Sequence, residues 1–150
     1  MQLLQQFSYQ LIVVTNQSGI GRGYFSEQQF HHFSELLDAQ LALYHIYLTA
    51  TYFCPHHPVD ALPSYRRDCT CRKPAPGMLL QASKEHQIDL SQSWMIGDRL
   101  SDVQAGKRAG CRTILLSPDP PSLNEIDQSD WIVDNLLHAA QKIVESENTK

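Results

Sequence analysis

The sequence predicts an α/β domain, a mostly parallel sheet with helices on both faces and one metal-binding loop. Three observations carry this. Short apolar or β-branched runs recur along the chain, segments with helical spacing lie between them, and several runs break off into polar or glycine turns. A Cys/His-rich, proline-rich stretch at 54–73 supplies the loop.

The first strand is expected over 9–14, where Leu11, Ile12, Val13 and Val14 give way to Thr15-Asn16-Gln17-Ser18. A loop with three glycines follows, to Tyr24. Ser26 with Gln29 three positions on forms a capping-box signature. Phe30, Phe33, Leu37, Leu41 and Tyr44 then recur at helical spacing, which predicts a helix over 26–45. A second strand over 46–53 runs into the metal loop, where Pro55, Pro58 and Pro63 deny regular structure. After Pro74 and Pro76 a helix is expected over 77–86, then a strand over 93–96 that ends at Gly97-Asp98. A helix over 100–109 stops at Gly110. Strands over 111–116 and 131–133 and a helix over 135–144 complete the pattern, with the proline-rich 118–122 as a loop. Strands alternating with helices place ligands at the carboxyl ends of the strands.

At 150 residues and 42% hydrophobic, the chain suits one domain with one continuous core. A net charge of -4 without a basic run argues against nucleic acid as partner. No apolar run approaches the roughly 20 residues that span a bilayer, and no secretory leader is recognisable, so no membrane partner and a cytoplasmic location are expected. In that reducing setting, cysteines at 54, 69 and 71 read as metal ligands rather than disulfide partners, with Cys111 left over and buried.

Cys54-Pro55-His56 and Cys69-Thr70-Cys71 form two clips on one loop, and thiolate with imidazole is the donor set that tetrahedral Zn²⁺ prefers. Such a site is closed and structural. Arg72-Lys73 follows it directly, presenting charge to an anion. Three polar clusters follow predicted strands: Thr15-Asn16-Gln17-Ser18, Arg72-Lys73 by way of the metal loop, and Gly97-Asp98-Arg99. They should converge on one rim. A hydroxyl, a lysine ammonium and a carboxylate able to hold Mg²⁺ are parts that bind and polarise a phosphoryl group.

These residues resemble the haloacid dehalogenase-like phosphatases, and within them the family of D-glycero-D-manno-heptose 1,7-bisphosphate phosphatases of lipopolysaccharide-core biosynthesis. The resemblance rests on Val13-Val14-Thr15-Asn16-Gln17-Ser18-Gly19-Ile20 with Arg22-Gly23, on Cys54-Pro55-His56-His57-Pro58, on Cys69-Thr70-Cys71-Arg72-Lys73-Pro74 and on Gly97-Asp98-Arg99-Leu100-Ser101-Asp102. It implies a Rossmann-like fold and removal of the C7 phosphate through an aspartyl-phosphate. It further implies that Thr15 and Lys73 stabilise the transferring phosphoryl group. Asn16, Gln17, Ser18, Arg72 and Arg99 would bind the sugar phosphate, Asp98 would hold Mg²⁺ and Asp102 would support its loop. Zn²⁺ would sit on Cys54, His56, Cys69 and Cys71, with His57 unassigned. A monomer acting on a small sugar phosphate is expected.

One departure is large. The family opens on a strand ending in Asp-x-Asp-Gly-Thr, whose carboxylates are nucleophile and general acid, and these 150 residues contain no such motif. Met1 aligns within the helix before the second motif. The expected consequence is a missing central strand, a slot flanked by strand edges, and a chain inactive as written, with a misplaced translation start favoured over a fragment or a degenerate remnant. The alternatives in function are a histidinol-phosphate phosphatase, which shares a similar zinc loop, and a catalytically dead phosphosugar-binding or structural remnant.

Plainer roles exist for each residue. Asp98 could cap the helix from Leu100, Arg72 and Lys73 could be a solvated pair, and Thr15 and Ser18 could satisfy loop backbone. His31, His32, His45, His86 and His138 fall on helices or their ends and are expected to carry no chemistry.

Overall fold

A computed structural model of the chain describes residues 1–120 and 122–147. The elements run α1 (Gln2–Gln6), β1 (Ile12–Asn16), α2 (Ser18–Gly21), α3 (Glu27–Ala42), β2 (Ala50–Cys54), α4 (Gly77–His86), β3 (Trp94–Gly97), α5 (Leu100–Ala109), β4 (Arg112–Leu116), α6 (Leu123–Gln128), β5 (Trp131–Val133) and α7 (Leu136–Glu147). A 3₁₀ turn at Leu90–Gln92 leads into β3. The α/β class and the parallel pairing are as predicted. Helices α4 and α5 match their expected bounds, and Gly110 at φ 89° ends α5 in the left-handed conformation that glycine adopts most freely.

Strand β1 begins and ends later than its apolar run suggests. Thr15 and Asn16 pair with Phe53 and Cys54 in the ladder, so these polar residues belong to the strand rather than to the loop beyond it. Ser26 caps α3 through a reciprocal box, accepting from the Gln29 amide while Gln29 accepts from its own. A second box, Ser122 with Glu125, starts α6, which no hydrophobic period announced. Pro121, within the expected 118–122 loop, lies outside the described residues.

The strands form two parallel sheets, β1-β2 and β3-β4-β5. Facing edges β1 and β3 border a cleft of about 700 Å³, lined by residues 12–15 from one strand and Trp94 to Gly97 from the other. A slot between strand edges is what the resemblance implied. Beneath it the core gathers Leu4 of α1, Leu11 just before β1, Ile114 and Val133 of the strands and Ala139, Ala140, Ile143 and Val144 of α7. The last four recur at i, i+1, i+4 and i+5, which gives α7 one apolar face. At the amino-terminal rim Trp94 stacks on Trp131 at 4.3 Å, with the Arg112 guanidinium 4.0 Å from the Trp94 ring.

Helix α5 lies close on the second sheet because Gly106 has no side chain. A Cβ there would stand 2.6 Å from Met95 Cβ and 2.9 Å from Thr113 Cγ2. Alanine favours helix over glycine by about 1 kcal/mol, but overpacking a filled interface costs about 1–3 kcal/mol. Gly106→Ala is therefore expected to lower stability by up to about 2 kcal/mol in urea unfolding, and a gain in stability would show that the helix can lift without loss.

Candidate active site

Four potential ligands converge at the start of the loop. Cys71 Sγ lies 3.0 Å from Cys54 Sγ and 3.2 Å from Cys69 Sγ, Cys54 and Cys69 are 3.5 Å apart, and His56 Nδ1 is 3.7 Å from Cys54 and 3.4 Å from Cys71. These sulfurs are too far apart for a disulfide, at about 2.05 Å, and all four cysteines of the chain are free. The ligand atoms fall within 4.8 Å of one another, close to the edge of about 3.7 Å that tetrahedral Zn–S bonds of about 2.3 Å require. Cys54, His56, Cys69 and Cys71 thus fit a structural Zn²⁺.

The local electrostatics suit a metal. Burial, then hydrogen bonding to Cys71, raises the Cys54 thiol, and burial also raises Cys71. At Cys69 burial raises the thiol as well, but hydrogen bonds from Cys71 and the backbone outweigh it and the net shift is downward. Burial and the neighbouring Arg67 charge lower His56, which keeps its imidazole neutral and able to ligate. Thiols that are costly to ionise alone become good ligands when a cation displaces their protons. His57 has a different task, accepting from the Asp60 amide at 2.9 Å to turn the loop.

The loop is fastened to the first half of the chain at several points. The Gln17 amide donates to Cys54 O at 2.8 Å, the Leu62 amide to Gly21 O at 2.7 Å, and the Tyr65 hydroxyl to Glu27 at 2.9 Å. Arg72 donates to His56 O at 3.1 Å, and Arg22 pairs with Asp60 at 3.0 Å. Sequence reading missed Tyr65, Glu27 and Asp60, because each is an ordinary surface residue until the loop folds over, and it named Arg22 in a motif without its partner.

Lys73 leaves this loop and enters the cleft. Its side chain is 11% exposed, and its ammonium donates to Val14 O at 2.6 Å and Asp102 Oδ1 at 2.8 Å. Asp102, at 5% exposure, also accepts from the Arg99 amide at 3.1 Å and lies against Gly97 at the end of β3. The carboxyl ends of β1 and β3 therefore meet at one rim, around one ammonium. Thr15, Lys73, Asp98 and Asp102 all line the cleft there.

Gln17 donates from Nε2 to Thr15 Oγ1 at 3.1 Å, which leaves the Thr15 hydroxyl proton free to be given to an acceptor in the cleft. Asn16 exchanges two hydrogen bonds with the Lys73 backbone, each 3.0 Å. Ser18 opens the short helix α2 and is half-buried. Asp98 and Arg99 are exposed. The cap position of α5 is Arg99, not Asp98, so the Asp98 carboxylate stays available to a cation. Arg72 lies on the flank, lining a depression of about 300 Å³ with Arg67, Lys73 and Arg108. Arg67 and Arg108 gave no signal in the sequence, since isolated basic residues usually read as a solvated surface.

A HAD-hydrolase-like family model matches residues 70–139. The D-glycero-beta-D-manno-heptose-1,7-bisphosphate 7-phosphatase of Yersinia pestis is 41% identical over 142 residues, covering 93% of this chain and 76% of that protein. The enzyme of the same name from Escherichia coli K12 is 40% identical over 145 residues, at 95% and 76% coverage. Among solved structures, D,D-heptose 1,7-bisphosphate phosphatase from B. bronchiseptica, complexed with magnesium and phosphate, superposes with a TM-score of 0.78 at 28% identity, covering 95% of this chain and 78% of that one.

Metal analysis is expected to find one zinc per chain. Stripping it with a strong chelator should speed tryptic cleavage after Arg66, Arg67 and Arg72 while helix content holds, because loop order is coupled to the metal. Unchanged cleavage after verified removal would show that protein contacts alone order the loop.

Proposed function

The chain belongs to the D-glycero-D-manno-heptose 1,7-bisphosphate 7-phosphatase family of HAD-like hydrolases, and on that premise we propose that its rim binds the C7 phosphate of a heptose 1,7-bisphosphate and stabilises it during hydrolysis. The observation that carries this reading is the Lys73 ammonium, held at the carboxyl ends of two strands beside the Thr15 hydroxyl. A cation with little exposure and fixed direction neutralises phosphoryl charge with little reorganisation at the moment of transfer.

Thr15 donates its hydroxyl proton to one phosphoryl oxygen, and Lys73 approaches another. Gln17 and Ser18 border the same group, Asn16 stands beside it, and Arg72 and Arg99 take the rest of the sugar phosphate. Asp98 would hold Mg²⁺, which supplies charge neutralisation at the phosphoryl oxygens when bound. Nucleophilic attack needs a carboxylate placed in line with the phosphorus. No Asp-x-Asp pair occurs among these 150 residues, so the rim accounts for binding and charge stabilisation, not for the attacking atom.

No described helix is long and apolar enough to cross a membrane. We further propose a single domain that works as a cytoplasmic monomer on a small sugar phosphate, without nucleic acid or membrane.

Calorimetric binding of heptose 1,7-bisphosphate and of histidinol phosphate to the zinc-loaded chain, with Mg²⁺ present, tests the assignment. The heptose compound is expected to bind at least about tenfold more tightly, because its second phosphate meets an arginine, and Lys73→Met should weaken both. Tighter binding of histidinol phosphate would favour the alternative substrate. Release of inorganic phosphate by this chain at an enzyme-like, Mg²⁺-dependent rate would dispose of the idea of a catalytically dead remnant.

A further inference from the structure

Asn16 stands at the end of β1, beside the residue that meets the phosphate in the reading above. Its geometry gives it a different partner. The Oδ1 atom accepts from the Lys73 amide and Nδ2 donates to the Lys73 carbonyl, both at 3.0 Å, across 57 positions of sequence. This is the two-point pairing that one strand offers another, made by a side chain. It fastens the backbone of Lys73 at the place where the metal loop crosses β1.

A lysine side chain is a flexible four-carbon stem, and fixing it costs rotamer entropy. Aiming its ammonium therefore requires a fixed root as well as partners at the tip. Val14 O and Asp102 hold the tip. Zinc would gather the loop at Cys71, two positions earlier, and Asn16 is the group that holds the root itself. Both its pairings are with main chain, so they do not depend on the side chain at position 73, proline excepted.

We infer that Asn16 is a positioning residue, whose amide clamps the Lys73 backbone so that the ammonium points into the cleft before any ligand arrives. This rests on the phosphate-site reading only in what the aimed ammonium is for. The clamp itself is independent of it.

The test is to label lysine with ¹³C and ¹⁵N in the zinc-loaded full chain, and to follow the Lys73 Cε and Nζ resonances without ligand, then to titrate with inorganic phosphate in the presence of Mg²⁺. In Asn16→Ala the ligand-free Lys73 signals are expected to move toward the averaged values of exposed lysines, zinc content to hold, and phosphate affinity to fall about tenfold, as when a supporting hydrogen bond is removed. Ligand-free signals identical to wild type would overturn the inference. If affinity fell nonetheless, Asn16 would be a direct ligand. Absence of phosphate binding in the wild type would instead count against the phosphate site, while the ligand-free spectra would still decide the clamp. Should Asn16→Ala not fold, hydrogen exchange in the wild type settles it, since a Lys73 amide exchanging like an open peptide cannot be bonded to Asn16.

Discussion

One ammonium group joins the parts of this molecule. Lys73 Nζ bridges the main-chain Val14 O in the first sheet and the Asp102 carboxylate beside the end of the second, and both side chains of that ion pair are shielded from water. A charge so placed is tolerated only while its partners stay, since removing one partner of a buried pair costs about 3–5 kcal/mol. The two sheets, the metal loop and α5 must therefore keep their relative positions to within hydrogen-bond distance.

The loop meets that requirement by unusual means. Pro55, Pro58, Pro63, Pro74 and Pro76 keep it out of helix and sheet, so its order comes from a converged ligand quartet and from side chains reaching to β1, α2 and α3. Proline also narrows the unfolded ensemble, which lowers the entropy lost on ordering. A metal held by the quartet would act on Lys73 from two residues away, at Cys71, through where the chain goes next.

Much of this was legible from residue types alone. Ser26 with Gln29 fixed the start of α3, and α4 and α5 fell where apolar spacing and Gly110 put them. The ligand quartet was visible because Cys-x-His and Cys-x-Cys have few other uses in a proline-rich loop. Strand ends were less visible. The run from Tyr9 looked continuous with β1, yet Tyr9 and Leu11 precede the ladder, while polar Thr15 and Asn16 extend it, because backbone pairing is indifferent to side-chain polarity. Short α2 and α6 hold their turns through backbone and caps, with too few residues to show a period. The role of Asn16 was out of reach, since its partner is main chain 57 positions away. Nothing in periodicity says which strands are neighbours, so the slot between β1 and β3 was suggested by resemblance alone.

The sheets also divide the chain in order. All of β1 and β2 lies within residues 12–54, and all of β3, β4 and β5 within 94–133. Neither ladder waits on residues from the other half. Parallel strands fold slowly when their partners are far apart in sequence, but here each crossover closes locally, and an emerging chain could finish the first pair before the second set exists. The rim, which needs Asn16, Lys73 and Asp102 together, forms only once both halves are in place, as does the core where Leu4 and Leu11 meet α7, so a parting of the halves takes both at once.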